Sequence, residues 1–234
     1  MSGFGKTEDV PYGHKISVCA GYQYQLFHRR YYAGADATRQ FVTNSGSFSL
    51  LRFACGGFLE GEHVRDILIL SKAFWYSRVF YLGLTKLRQE FFGSYEVVLN
   101  PEFITWTTIN NASGIRGFSS TYVFGRQRIV SGTETTAWLP YPILGFRVAT
   151  FVSMQFGQVG MNHENLFNNR IYSGLGTGFR IKNENLIFKT LEVRMFYYPH
   201  APSDVTRLVF DLSTVIELNF AQSAIQPPSF LGFE

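Results

Sequence analysis

The chain has 234 residues and no Pro/Gly-rich linker, so residues 1–234 read as one domain. Apolar residues reach 46% and aromatics 17%, yet charged residues are only 16%, against about 25% in typical soluble domains; no run approaches the roughly 18 apolar residues of a spanning helix, which excludes a helical membrane protein. The net charge of +4 comes from Lys and Arg placed singly, never in a basic run, which argues against a nucleic-acid partner.

Residues 1–9 lack the charged segment and apolar core of an export signal, and an exported chain of this kind is expected to carry one upstream. From His14 the pattern has period two. Ile16, Val18, Ala20, Tyr22, Tyr24 and Leu26 point one way, and Lys15, Ser17, Cys19, Gly21, Gln23 and Gln25 the other. A return strand is predicted over residues 30–41, with further strands over 47–58 and 64–76. In the last of these, Leu68-Ile69-Leu70 is apolar on both faces and gives no direction. Residues 86–99 alternate again, with Arg88, Glu90, Ser94 and Glu96 opposite Leu87, Phe91, Tyr95 and Val97.

A long, mostly uncharged stretch follows, from Phe103-Ile104-Thr105-Trp106 to Gly125. It holds one cation between two glycines, Gly114-Ile115-Arg116-Gly117-Phe118, which places the arginine in a loop between strands. After the loop, Phe146, Val148, Thr150, Val152 and Met154 alternate with Arg147, Ala149, Phe151 and Ser153. Next, Leu175, Thr177, Phe179 and Ile181 alternate with Gly174, Gly176, Gly178, Arg180 and Lys182, up to a turn at Asn183-Glu184-Asn185. Leu191, Val193, Met195 and Tyr197 then oppose Thr190, Glu192 and Arg194. Leu208, Phe210, Leu212, Thr214 and Ile216 oppose Arg207, Val209, Asp211 and Ser213.

A soluble sandwich also alternates, but it needs evenly spaced turns and a polar outer face rich in Lys and Glu. Here the apolar face is aromatic-rich, and the polar face holds Gly, Ser, Thr and isolated charges. Long connections such as residues 161–170 contrast with the tight turn at 183–185. These features predict an all-β transmembrane antiparallel β-barrel, with about eleven strands in this chain.

Catalytic patterns are sparse. His14, His28, His63, His163 and His200 have no metal-ligand spacing, Cys19 and Cys55 form neither a metal nor a disulfide framework, and there is no nucleophile elbow. Gly174-Leu175-Gly176-Thr177-Gly178 starts a strand rather than a helix, so it reads as clearance on the inner face and not as a phosphate loop. Asn111-Ala112-Ser113 reads as loop. No enzyme, cofactor or metal is expected.

Ile115-Arg116-Gly117-Phe118, followed by five predicted strands, resembles the luminal loop of the BamA/TamA-type outer-membrane assembly and polypeptide-transport barrels, the bacterial surface antigens. A second family motif, Phe-x-Asp-x-Gly, is matched by Phe156-Gly157-Gln158-Val159-Gly160, with Gln158 in place of the aspartate. Gly174–Ile181 with Asn183–Leu186 is similar to the family's Gly-x-Gly-x-Arg strand and turn. The resemblance implies a barrel of about sixteen strands, of which this chain would be the C-terminal part, without the upstream periplasmic POTRA domains. It further implies location in the cell outer membrane and contact with its lipid. The implied work is to assist insertion or translocation of other polypeptides, with client polypeptides and periplasmic or lipoprotein partners. The alternative is a passive anchor or pore for an upstream domain. The loop-anchoring set it implies is Arg116, Gly117, Phe118, Glu134, Phe156, Gln158 and Gly160, with Glu134 and Gln158 as the acceptors for Arg116. The parity that turns Met154 outward also turns Phe156 and Gln158 outward, so the family's inward placement requires a bulge near Gly157.

Overall fold

The computed structural model describes residues 12–25, 28–102, 106–162, 164–182 and 190–215. Residues 1–9, Leu26, Phe103, Ile104, Thr105, His163, the turn at Asn183, Glu184 and Asn185, and Ile216 lie outside the described residues.

The described strands are β1 (Gly13–Gln25), β2 (His28–Val42), β3 (Phe48–Glu60), β4 (His63–Tyr76), β5 (Phe80–Leu82), β6 (Thr85–Leu99), β7 (Thr107–Thr108), β8 (Phe124–Gly125), β9 (Gln127–Trp138), β10 (Arg147–Gly160), β11 (Tyr172–Lys182), β12 (Thr190–Tyr197) and β13 (Leu208–Val215). Eleven of them form one antiparallel sheet in the order β1-β2-β3-β4-β6-β9-β10-β11-β12-β13, with β5 pairing β6 where β4 has ended. The fold is therefore all-β. The sheet is not closed into a barrel: among the described residues β1 pairs only with β2 and β13 only with β12. Among the described residues of the stretch before Arg116, Thr107–Thr108 forms a strand and pairs with Phe124–Gly125 in a separate two-stranded sheet.

Period two carries through the registers and divides the sheet into two faces. One face gathers Lys15, Asp36, Arg52, Lys72, Glu96, Arg128, Glu134, Arg180, Glu192, Arg194 and Asp211. The other gathers Ile16, Val18, Tyr31, Phe53, Phe91, Val152, Met154, Phe179, Val193 and Phe210. Burial inverts the usual pattern. In β10 the buried side is Ala149, Phe151, Ser153 and Gln155, while Val152, Met154 and Phe156 are exposed. In β12 Glu192 is buried and Leu191, Val193 and Met195 are exposed.

Leu68 and Leu70 lie on the polar face and are buried with Val98, while Ile69 takes the apolar face. Between Gly56 and Phe58 the pairing of β3 with β4 slips by one residue. Opposite the slip, Asp66 takes a left-handed φ of 50° and its N–H donates to the Asn100 carbonyl at 3.0 Å. This bulge turns the Asp66 carboxylate onto Arg30 at 2.6 Å, and Arg30 also reaches Glu102 at 2.8 Å. A buried apolar cluster sits on the polar face of the later strands. It joins Ile109, Ile115 and Phe118 of the loop before β9 to Val130, Phe196, Tyr198 and Val205.

Candidate functional site

The loop between β6 and β9 folds onto the polar face of β9–β12 instead of extending away from the sheet. Its backbone is closed by local bonds. The Ile115 N–H donates to the Ile109 carbonyl at 2.9 Å, and Asn111–Ser113 forms one 3₁₀ turn. A side chain at Gly114 would overlap the Ile109 carbonyl, and Gly117 has φ of +72°, so both positions need glycine. Ile115 and Phe118 are buried; the Phe118 ring meets Tyr198 edge-on with centroids 5.6 Å apart.

The loop tip is held mostly through its main chain. The Arg116 N–H donates to Gln155 Oε1 at 2.8 Å, and the Tyr198 hydroxyl donates to the Arg116 carbonyl at 2.6 Å. The Gly117 N–H donates to Asn111 Oδ1 at 3.0 Å. Among the described residues the Arg116 guanidinium makes one ion pair, Nη1 to Glu134 Oε2 at 3.2 Å, and its side chain is 40% exposed. Glu134 is only 6% exposed, and its other oxygen lies 2.7 Å from Arg180 Nη2.

Arg180, the arginine of the glycine-rich strand, is the hub. Its Nε donates to Glu192 at 2.9 Å, its Nη1 to the Thr136 hydroxyl at 3.1 Å, and its guanidinium stacks over Phe151 at 4.4 Å. Glu192 in turn holds Arg194 at 2.6 Å, and Arg194 faces Asp211 at 3.6 Å. Charges of alternating sign thus run from Arg116 through Glu134, Arg180, Glu192 and Arg194 to Asp211. A parallel pair, Arg128 with Glu96 at 2.7 Å, is nearly fully buried and is completed by the Thr107 hydroxyl and the Thr108 carbonyl.

Two of the expected loop-anchoring residues are corrected. The register of β10 against β9 is unbroken from Ala149 to Gly160, so no bulge occurs at Gly157 and parity is kept. Phe156 is therefore 40% exposed on the apolar face with Met154. Gln158 shares that face and is buried there, donating to the Asn169 carbonyl at 2.8 Å and the Leu166 carbonyl at 3.3 Å. It is not a partner of Arg116; Gln155, on the other parity, fills that place. Gly160 faces Leu166 and Asn169, and its carbonyl accepts the Arg126 N–H at 2.9 Å.

A second clamp lies in the connection between β12 and β13. Asp204 accepts the Thr121 N–H at 2.8 Å and the Ser120 hydroxyl at 2.9 Å. Desolvation raises the Asp204 carboxyl, but the hydrogen bonds from Thr121 and Ser120 outweigh it and hold it below its usual range. Asn110 braces the same stretch, donating to and accepting from the Ser120 backbone at 3.0 and 2.9 Å. Gln155, Tyr198, Asn110 and Asp204 are absent from the expected set. Parity along β10 carried the signal for Gln155, and nothing local in the sequence marks the other three. Among the described residues, no group of three or more His, Cys, Asp or Glu side chains could hold a metal ion. No protein-family model matches the chain, and no curated protein sequence matches it.

Proposed function

We propose that this chain is part of an outer-membrane β-barrel of the BamA/TamA type, a non-enzymatic factor that assists insertion or translocation of other polypeptides. In this reading the apolar face meets lipid and the Arg116 loop lies in the lumen. The observation that carries it is the inversion of burial: charges are covered and paired on one face, while large apolar side chains stand exposed along the other in strand after strand. Water favours the opposite arrangement, and a bilayer favours this one.

The apolar face of β2 gives a measure of height. Its only charges are Arg29 and Arg39, ten residues apart, with Tyr31, Ala33, Ala35 and Ala37 between them. At about 3.3 Å per residue and about 45° of tilt this spacing spans about 23 Å, close to the about 25 Å apolar band of a membrane barrel. Arg29 lies over Tyr24 at 5.2 Å and Arg39 over Phe41 at 5.6 Å, as cations do when they reach for an interface along aromatic neighbours. The assembly role rests on the likeness of Ile115-Arg116-Gly117-Phe118 to the family loop, together with the packing of that loop onto the charged face.

The test has two parts. The protein is expected to stay in the outer-membrane fraction through carbonate washing; release as a soluble monomer would remove the membrane reading. Variants at the Arg116 loop are then expected to lose client-barrel insertion in reconstituted vesicles. Unchanged insertion with a disordered loop would leave the passive anchor.

A further inference from the structure

On the apolar face, where β1–β4 approach the turn joining β2 to β3, two neighbouring cross-strand rows flank an open hollow of about 400 Å³, whose lining also includes Lys15, Thr38, Arg52 and Lys72 of the row between them. One row runs His14, Arg39, Leu51, Ala73, and the other Ile16, Ala37, Phe53, Ser71. Large and small side chains alternate along the second row, and the first ends on Ala73 after Arg39 and Leu51. Ile16, Leu51 and Phe53 therefore stand as walls around a floor set by Ala37, Ser71 and Ala73. The hollow falls in the size range of ligand sites, and its walls are continuous with the exposed apolar face.

Two cationic or N–H-donating groups flank its mouth, Arg39 and His14, directly opposite each other in the pairing of β1 with β2. Both are exposed, and among the described residues Arg39 makes no ion pair. The apolar face of β1–β4 carries no Asp or Glu among the described residues, because Asp36, Glu60 and Asp66 all fall on the other parity or at the bulge. An arginine without a carboxylate, beside a ring N–H and above an apolar recess, matches a phosphate joined to a hydrocarbon chain.

We propose that this hollow binds one anionic phospholipid, with its phosphate on Arg39 and His14 and an acyl chain between Ile16, Leu51 and Phe53. The proposal rests on the lipid-facing reading of this surface. A free phosphate ion would gain nothing from the apolar walls, and a chain without an anionic head would gain nothing from Arg39. The site therefore selects by charge within the lipid shell, and it would bias which lipids border β1–β4.

The experiment uses the full chain in phosphatidylcholine vesicles, with Phe53→Trp as reporter read by difference against the parent protein. Quenching by phosphatidylglycerol brominated on its acyl chains is compared with quenching by brominated phosphatidylcholine at equal mole fraction. The expected preference for the anionic lipid is about fivefold for one cation at the surface. It is expected to vanish in Arg39→Gln, to weaken in His14→Gln and to survive in Arg39→Lys. Equal quenching by the two lipids would overturn the site while leaving the lipid-facing reading intact. Absence of quenching by either, in protein with wild-type unfolding, would overturn both. Relief of the preference by inorganic phosphate would show a phosphate site that does not need the chain, and would also overturn the lipid assignment.

Discussion

Replacing Arg116 by Ala is expected to cost less than its place in the loop motif suggests. A sequence-only estimate leaves Glu134 unpaired and buried, at about 1–3 kcal/mol. In the structure Glu134 keeps Arg180 at 2.7 Å when Arg116 is gone, and the lost contact is a single one at 3.2 Å from a side chain 40% exposed. The expected cost is therefore about 0.5–1 kcal/mol, in the range of an exposed pair. Arg180→Ala takes the shared cation from both Glu134 and Glu192, two carboxylates that are almost fully covered, leaving them the cations Arg116 at 3.2 Å and Arg194 at 2.6 Å, and is expected to cost about 3–5 kcal/mol. Tyr198→Phe removes the donor to the Arg116 carbonyl and is expected to cost about 0.5–1.5 kcal/mol. The assay is urea unfolding of the full chain in one defined lipid, with hydrogen exchange at the Ile115 and Phe118 amides reporting loop closure. A double-mutant cycle of Arg116→Ala with Glu134→Gln should couple by less than the cycle of Arg180→Ala with Glu134→Gln. An Arg116→Ala cost equal to or above that of Arg180→Ala would refute the view that the loop is held by its backbone and the hub.

Arginine at Val193 or Leu212, both on the exposed apolar face, should cost about 2–4 kcal/mol near a bilayer midplane; stability unchanged at both sites in lipid would invert the face assignment. Gly178→Ala would drive a methyl into the Val193 carbonyl and the Phe151 ring, and should destabilise by about 1–3 kcal/mol or more. Gly93→Ala, whose nearest neighbour would be 3.8 Å away, is the matched control and should stay within about 1 kcal/mol of wild type. Because hydrogen bonds from Thr121 and Ser120 hold the Asp204 carboxyl below the ordinary aspartate range, its clamp on Thr121 is complete above that range and is lost as pH falls through the lower folded value. A carboxyl-carbon NMR titration should find Asp204 below the ordinary aspartate range, and Asp204→Asn should abolish the acid-dependent loosening of residues 120–121.

Period two made most of the sheet legible. The alternation over residues 86–99 and 146–154 assigns each side chain of β6 and β10 to the face the registers give it, because a one-residue slip would exchange the two faces entirely. Leu68-Ile69-Leu70 gave no direction because the polar face there is covered, so both parities need apolar residues. The family-derived inward placement of Gln158 failed where simple parity held, since β10 has no bulge to carry it across. The motif drew attention to the Arg116 guanidinium, but the loop is closed by its main chain bonding the Gln155 and Tyr198 side chains, and nothing in the loop's own residues marks those partners. Asp204 and Ser120 are 84 positions apart and meet only through the packing of two connections. The charge hub was half visible: Arg180, Glu192 and Arg194 share a face by parity, but their linkage to Glu134 crosses β10 and depends on register.

Gly174, Gly176 and Gly178 leave a flat strip on β11 that neighbours have filled: Ile115 stands 2.7 Å from where a methyl at Gly174 would be, and Phe196 stands equally near at Gly176. The residues between them, Leu175, Thr177 and Phe179, point to the exposed side and touch no such filler. Substitution in this strand is thereby rationed by position rather than by chemistry. Among the survivors of a random mutational library, β11 would be written as three unchanging letters with interchangeable apolar ones between them, and that rhythm of tolerance would report which face of the strand is inside without any further structure.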